Sequence, residues 1–181
     1  MGTPHESRVM SHDFERLMLP HLDAAYRLAV GLTRDDAAAQ DIVQDSYLRA
    51  FRAWWRFTPG HEKAWLLTIV RRRALTWLKA DRRHPGVELD DETLSPDDQA
   101  RMSYAPEQEA RIISWQTTAV VREAVGRLPA VFREVIILKE FEDMAYKDIA
   151  RVTGVPVGTV MSRLSRAREM LRVMLVGTGR G

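Results

Sequence analysis

The stretch Ala145-Tyr-Lys-Asp-Ile-Ala-Arg-Val-Thr-Gly-Val-Pro-Val-Gly-Thr-Val-Met-Ser-Arg-Leu-Ser-Arg-Ala-Arg168 reads as a helix, a tight turn and a second helix with a basic outer face. Ala150 is small where two helices must approach closely, and Gly154 suits the left-handed backbone of the turn between them. Pro156 fits the start of the next helix. On that helix Val160, Leu164, Ala167 and Leu171 share one face, which predicts packing into a domain. Thr159, Ser162, Arg163 and Arg166 are then expected to point outward. Ser and Thr reach phosphates or base edges, and Arg makes bidentate contacts with guanine, so the layout suits a helix laid in a DNA major groove. The plainer alternative is a solvated charged helix in a bundle.

Upstream, Leu128-Pro129 separates two further helical patterns. One carries Val131, Val135, Ile136 and Leu138; the other starts near Glu107 and turns Ile112, Trp115, Val120, Val121 and Val125 toward a partner. With the opening motif these make an all-helical domain over residues 107–175, and residues 176–181 are expected to form a disordered tail. Before it, residues 85–106 lack hydrophobic period and collect Pro, Ser and acidic residues, including Glu88, Asp90, Asp91, Glu92, Asp97 and Asp98. That composition predicts a flexible acidic linker.

A first domain is expected over residues 13–84, behind a disordered N-terminus at residues 1–12. Phe14, Leu17, Met18, His21, Leu22, Ala25 and Ala29 recur at helical spacing and predict one helix over residues 13–32, closed by Gly31 and Thr33. Asp35 or Asp36 can cap a second helix that runs to about Trp55 and buries Val43, Tyr47, Ala50, Phe51 and Trp54. Thr58-Pro59-Gly60 breaks it. A third helix, residues 62–83, turns Leu66, Ile69, Val70, Ala74 and Trp77 inward and leaves Thr68, Arg72, Thr76, Lys79 and Arg83 as a basic stripe. Such a stripe tracks a phosphate backbone, and Trp54, Trp55, Phe57 and Trp65 surround the turn before it. Those aromatics either stack on unpaired bases or fill the core. Asp41, Gln44, Asp45 and Arg49 form a polar stripe that suits another protein or plain solvent; spacing does not decide between them.

Composition excludes several classes. The 181 residues are 45% apolar, enough for globular cores, and contain no Cys, so disulfides, Cys-ligated zinc and thiol chemistry are ruled out within the chain. The net charge of only +2 conceals a segregation: Arg71, Arg72, Arg73, Lys79, Arg82 and Arg83 cluster, as do Arg163, Arg166, Arg168 and Arg172, with the acidic segment between. His5, His12, His21, His61 and His84 lack metal-ligand spacing, and neither a nucleophile elbow nor a glycine-rich phosphate loop occurs. No enzyme, metal or cofactor is therefore expected. Residues 1–13 are polar, and no apolar run approaches the ~20 residues of a membrane span, which predicts a cytoplasmic protein without membrane insertion.

Three stretches together resemble the extracytoplasmic-function sigma factors of the sigma-70 family. They are Asp41-Ile-Val-Gln-Asp-Ser-Tyr-Leu-Arg-Ala-Phe51, Ala64-Trp-Leu-Leu-Thr-Ile-Val70 and Gly154-Val-Pro-Val-Gly-Thr-Val-Met-Ser-Arg-Leu-Ser-Arg-Ala-Arg168, in the family's order. The resemblance implies an all-α chain of two small helical domains: a three-helix sigma-2 domain and a helix-turn-helix sigma-4 domain. It implies an RNA polymerase specificity subunit, with core polymerase, promoter DNA and an anti-sigma factor as partners. Asp41, Gln44, Asp45 and Arg49 then look like the surface for the clamp helices of the largest polymerase subunit, whose assembly also offers its flap. Phe57, Thr58, His61, Lys63 and Trp65, with Arg72, Thr76 and Lys79 beyond them, look like the part that opens and reads the −10 element. Ser162, Ser165 and Arg166 look like base readers of the −35 element, assisted by Tyr146, Gly158, Thr159, Met161 and Arg163. Two positions depart from the family pattern: Met161 stands where many relatives have Lys or Arg, and Arg72 where Asn is common. The rival reading is a stand-alone helix-turn-helix regulator that binds duplex DNA without polymerase, which would leave the Asp41 stripe and the aromatic turn unused.

Overall fold

The computed structural model describes residues 12–81 and 119–178, and every regular element in them is helical. The chain divides into two compact units, the first built on residues 12–81 and the second on most of the other stretch, of which Arg151–Thr153 group with the first. Of the expected disordered N-terminus at residues 1–12, His12 is helical and residues 1–11 lie outside the described residues, as do the linker at 85–106 and the helix start at Glu107, with Ile112 and Trp115.

The first unit departs from its expected first helix at Pro20. Proline has no N–H and its ring clashes with the carbonyl four residues back. Helix α1 (residues 12–18) therefore stops at Met18, a 3₁₀ turn spans Leu19–His21, and α2 (Leu22–Thr33) starts afresh. The Tyr47 hydroxyl donates to the Met18 carbonyl at 2.8 Å, satisfying an acceptor at that break. Burial pushes the Tyr47 phenol up to about 12, so it stays a neutral donor. Helix α2 ends at Thr33, within a residue of the expected close, and Arg34 takes the left-handed cap at φ 57°, returning its N–H to Val30 at 2.8 Å. Asp35 caps α3 (Asp36–Arg52), its carboxylate accepting from the Ala38 amide at 2.9 Å. Helix α3 ends before Trp54–Arg56, which form a 3₁₀ turn of their own. Helix α4 (Glu62–Ala80) completes the unit.

Helices α2, α3 and α4 pack pairwise around Leu28, Leu32, Ile42, Val43, Leu66, Leu67, Val70, Ala74 and Leu78, all buried. Small residues at the contacts, Ala25, Ala29, Ala39 and Ala50, are wholly buried and let the axes approach closely. The apolar period of 3.6 thus fixes which faces meet. Phe51, expected inside, is 44% exposed.

In the second unit α5 (Ala119–Arg127) leads through Leu128-Pro129 into α6 (Ala130–Ile136), which continues as a π-helical turn, Ile137–Phe141. Residues Val131 to Leu138 are buried without exception, so α6 is the central helix of this unit. Two charged residues in that run, Arg133 and Glu134, are buried with it. Arg133 donates from Nη1 to the carbonyls of Gly126, at 3.0 Å, and Leu128, at 2.7 Å, and so caps the end of α5 that Pro129 cuts off. Helix α7 (Tyr146–Thr153) closes on Gly154 at φ 75°, whose N–H reaches the Ala150 carbonyl at 2.8 Å. Pro156 sits just ahead of α8 (Val157–Thr178) and gives its carbonyl to Val160 N–H at 3.1 Å. Helix α8 buries Val160, Leu164, Ala167 and Leu171 as expected and packs on α5 and α6. It continues through Thr178, so residues 176–178 of the expected tail are helical; residues 179–181 lie outside the described set.

Candidate nucleic-acid interface

The turn at Gly154 lets α7 and α8 stand as a helix-turn-helix, and the burial of Val160, Leu164, Ala167 and Leu171 sets which side of α8 is left over. Gly158, Met161, Ser165 and Arg166 are exposed there, with Thr159 half-buried beside them. Ser162 has only 9% exposure, and its hydroxyl donates back to the Thr159 carbonyl at 3.0 Å. Tyr146 opens α7, with the Lys139 ammonium 5.1 Å from its ring centroid.

Arg163 does not belong to this outward set. It is 2% exposed and faces the buried Glu134 of α6, Nη1 to Oε1 at 3.7 Å, so it is not available to touch DNA. It lies three residues after Val160 and four before Ala167, within the width of the apolar stripe. That spacing, with Glu134 inside a long apolar run, was the overlooked signal. Two more arginines of the basic cluster are also held. Arg168 gives Nε and Nη2 to Glu140 Oε1, at 3.0 and 2.6 Å, and Arg172 pairs with Glu169 at 2.7 Å. Hydrogen bonds from Arg172 keep the Glu169 carboxyl below the usual range, with the charge of Arg166 adding to the effect. Among the clustered arginines of α8, Arg166 is the one left exposed outside an ion pair with another described residue.

In the first unit, the turn between α3 and α4 exposes Thr58 and His61, with Lys63 half-buried on the first turn of α4. Gly60 adopts φ 109°, and its N–H donates to Glu62 Oε1 at 2.9 Å, closing the turn onto the helix. That hydrogen bond is the main reason the Glu62 carboxyl titrates below its ordinary value. A group held low in the folded state contributes stability above its unfolded pKa, near 4.3, and loses it as pH falls through the folded value. The Gly60 amide resonance is therefore expected to titrate with a midpoint below about 4.3, and to become flat in Glu62→Gln. A midpoint above that value would detach the turn from Glu62.

Arg72, Thr76 and Lys79 of the expected basic stripe are exposed along one side of α4, whereas Thr68 is half-buried with its hydroxyl donating to the Ala64 carbonyl at 2.7 Å, and Arg83 lies outside the described residues. Phe57 and Trp65 are placed differently. Trp54 stacks on Phe57 at 4.6 Å, Phe57 meets Trp65 at 5.1 Å, and Phe14 packs edge-on against Trp54 at 5.3 Å. Both rings are half-buried members of a cluster that buttresses the turn from beneath. The freely presented aromatic is Trp55, 69% exposed, with the Arg56 guanidinium 4.4 Å from its ring centroid.

On α3, Asp41, Gln44 and Arg49 are exposed, whereas Asp45 is half-buried and engaged on two sides. Asp45 Oδ2 lies 2.8 Å from Arg49 Nε and 2.5 Å from Nε of Arg73 on α4. The Arg49 hydrogen bond, then the charge of Arg73, hold its carboxyl below the usual range. Asp45 is thus also a tie between α3 and α4. Leu48, 53% exposed, and Phe51 continue the Asp41–Gln44 side of the helix and make it amphipathic in the outward direction. An apolar residue one turn beyond a polar stripe is the sequence signal for Leu48.

Residues 17–84 match the family "Sigma-70 region 2" and residues 118–171 the family "Sigma-70, region 4". Neither matched region is a catalytic domain. The chain is 32% identical over 162 residues to the RNA polymerase sigma-H factor of Pseudomonas aeruginosa, spanning 87% of this chain and 83% of that one. It is 30% identical over 160 residues to the ECF RNA polymerase sigma factor SigE of Mycolicibacterium smegmatis, covering 88% of this chain but only 60% of that longer protein. Among solved structures it is similar to the sigma factor RpoE bound to the anti-sigma factor NepR from Bartonella quintana, with a TM-score of 0.67, 29% identity, and coverage of 90% of this chain and 96% of that one. The fold is also that of CnrH, solved with the cytosolic domain of CnrY, at a TM-score of 0.63, 24% identity, and coverage of 92% and 90%. With a region 2 helical unit, a region 4 helix-turn-helix and relatives matched over most of their length, the chain belongs to the extracytoplasmic-function sigma factors of the sigma-70 family.

Proposed function

We propose that this chain binds core RNA polymerase and directs it to promoters, reading the −35 element with α8 and opening the −10 element with α4 and the turn before it. The observation that carries this reading is the pairing of an outward-facing helix-turn-helix in one unit with a basic helix and aromatic-backed turn in the other. The domain reading follows: a sigma-2 domain over residues 13–84, a linker over 85–106 and a sigma-4 domain over 107–175. In the −35 surface Ser165 and Arg166 face the bases, with Tyr146, Gly158, Thr159, Met161 and Ser162 around them. In the −10 surface Thr58, His61, Lys63, Arg72, Thr76 and Lys79 contact the strand, while Phe57 and Trp65 hold the turn in shape. Asp41, Gln44 and Arg49 dock on the clamp helices, beside Leu48. The protein acts without catalysis of its own, in the cytoplasm, and is silenced by an anti-sigma factor, the kind of partner that RpoE carries in its complex. No described helix is long and apolar enough to cross a membrane.

Two weak DNA contacts on separate units need a scaffold to act together, because joint engagement depends on effective concentration. The purified chain should direct specific transcription only with core polymerase added. Tight sequence-specific binding by the chain alone, without stimulation of core polymerase, would make it a stand-alone regulator. Asp41→Arg should weaken assembly with core and leave thermal unfolding unchanged. Asp45→Arg should weaken assembly and also lower the unfolding temperature, since it sets a third cation beside Arg49 and Arg73. Equal core affinity for wild type and Asp41→Arg would return this face to solvent.

A further inference from the structure

The Arg163–Glu134 pair is placed where its cost needs a reason. Arg163 is 2% exposed and Glu134 fully buried, and they face each other at 3.7 Å, an ion-pair separation rather than a hydrogen bond. Removing two charges from water is expensive, and well-packed apolar residues of similar volume usually serve stability as well or better. A charge pair ties one point on α8 to one point on α6, a pairing that interchangeable apolar contacts do not enforce. Here it links the central helix α6 to the turn of α8 that carries Met161, Ser162, Ser165 and Arg166. The apolar stripe of α8 includes Ala167 at its middle, a short side chain that indexes rotation poorly. With a helix radius of about 5–6 Å, a rotation of about 15° moves an outer side chain by about 1.5 Å, enough to lose a base contact.

We propose that Arg163, held by Glu134, is a positioning residue for −35 recognition: it sets the rotation of α8 about its own axis and touches no DNA. This rests on the reading of α8 as the −35 helix. The pair selects which side chains reach the base edges, and so governs discrimination between −35 sequences.

The test uses the full chain with core polymerase and a promoter library randomised in the −35 element. The informative variant is the double substitution Glu134→Leu/Arg163→Met, which replaces the pair with apolar volume and is expected to keep the fold. It should keep its urea midpoint yet lose about tenfold in discrimination, spread over several base positions, with the salt slope of binding unchanged. Arg163→Lys, which keeps a cation opposite Glu134, should recover part of that discrimination. Wild-type discrimination in a stably folded double variant would overturn the proposal and leave the pair a structural contact. Loss at a single base position with a salt slope lower by about one unit in the double variant would equally overturn it, because Arg163 would then touch DNA. Arg166→Ala serves as the control for the underlying reading: if it too leaves −35 discrimination untouched, α8 is not the reader and the proposal falls with that assignment.

Discussion

Arg166→Ala is expected to weaken binding to the cognate −35 sequence by about 1–3 kcal/mol and to relax preference at one base position, the size of one bidentate base contact. Arg166 is exposed on the side of α8 opposite Val160 and Leu164, and no described carboxylate takes it into an ion pair. Arg172 is the comparison. It lies farther along α8 and spends its guanidinium on Glu169, at 2.7 Å. Its loss should weaken all sequences alike, leave preference intact, and lower the salt slope by at most about one unit, because Glu169 already neutralises part of its charge. A screen of promoter variants on both alanine mutants measures this. Equal, sequence-blind losses from the two would place the reading face elsewhere on the helix.

The second large effect belongs to Trp54. Its ring lies at the centre of the aromatic cluster, stacked on Phe57 and edge-on to Phe14 and Trp65. Trp54→Ala should destabilise the first unit by about 3 kcal/mol, the low end for removing a large aromatic because the ring is half-buried. Promoter opening should fall with it, since Phe57 and Trp65 lose the ring that holds them. Trp55→Ala, one residue on, should change stability by less than about 0.5 kcal/mol, because that ring is 69% exposed. Urea unfolding of the two mutants separates them. A Trp55→Ala variant as unstable as Trp54→Ala would mean that the cluster extends beyond the rings seen in contact.

Much of the fold was legible because helix packing writes itself into the period of apolar residues. Ala25, Val43, Val70, Val160 and Leu164 recur at spacings that point to one inward face, and each is buried, though Leu22 of the same reading is 44% exposed. The turn at Gly154 was legible for the same kind of reason, since a left-handed backbone at φ 75° suits a residue without a side chain. Pro20 was equally readable in principle, as a ring that must interrupt a helix, but the periodicity on both sides of it outweighed that single residue. The left-handed cap at Arg34 carried no such mark, because its stability comes from the N–H returned to Val30 and the Asp35 cap that follows.

Charged and aromatic side chains behaved differently. Asp41, Gln44 and Arg72 are exposed where helical spacing puts them, but spacing gave Arg163 the same outward status as Arg166. Only the packed unit shows that one turns in to Glu134 and the other out to solvent, since the choice depends on a carboxylate nearly thirty residues away on another helix. The aromatic turn repeats the lesson: Trp54, Trp55, Phe57 and Trp65 are equivalent by composition, and only the packed unit shows Trp54, Phe57 and Trp65 gathered into one cluster, with Phe14 against Trp54 and Trp55 left outside. Sequence alone determined most of the helices, most of their inward faces and the family, because these follow from local backbone preferences and a repeating apolar pattern. The fate of each arginine and each ring was decided by tertiary structure, because burying a charge or a ring needs a partner supplied from elsewhere in the chain.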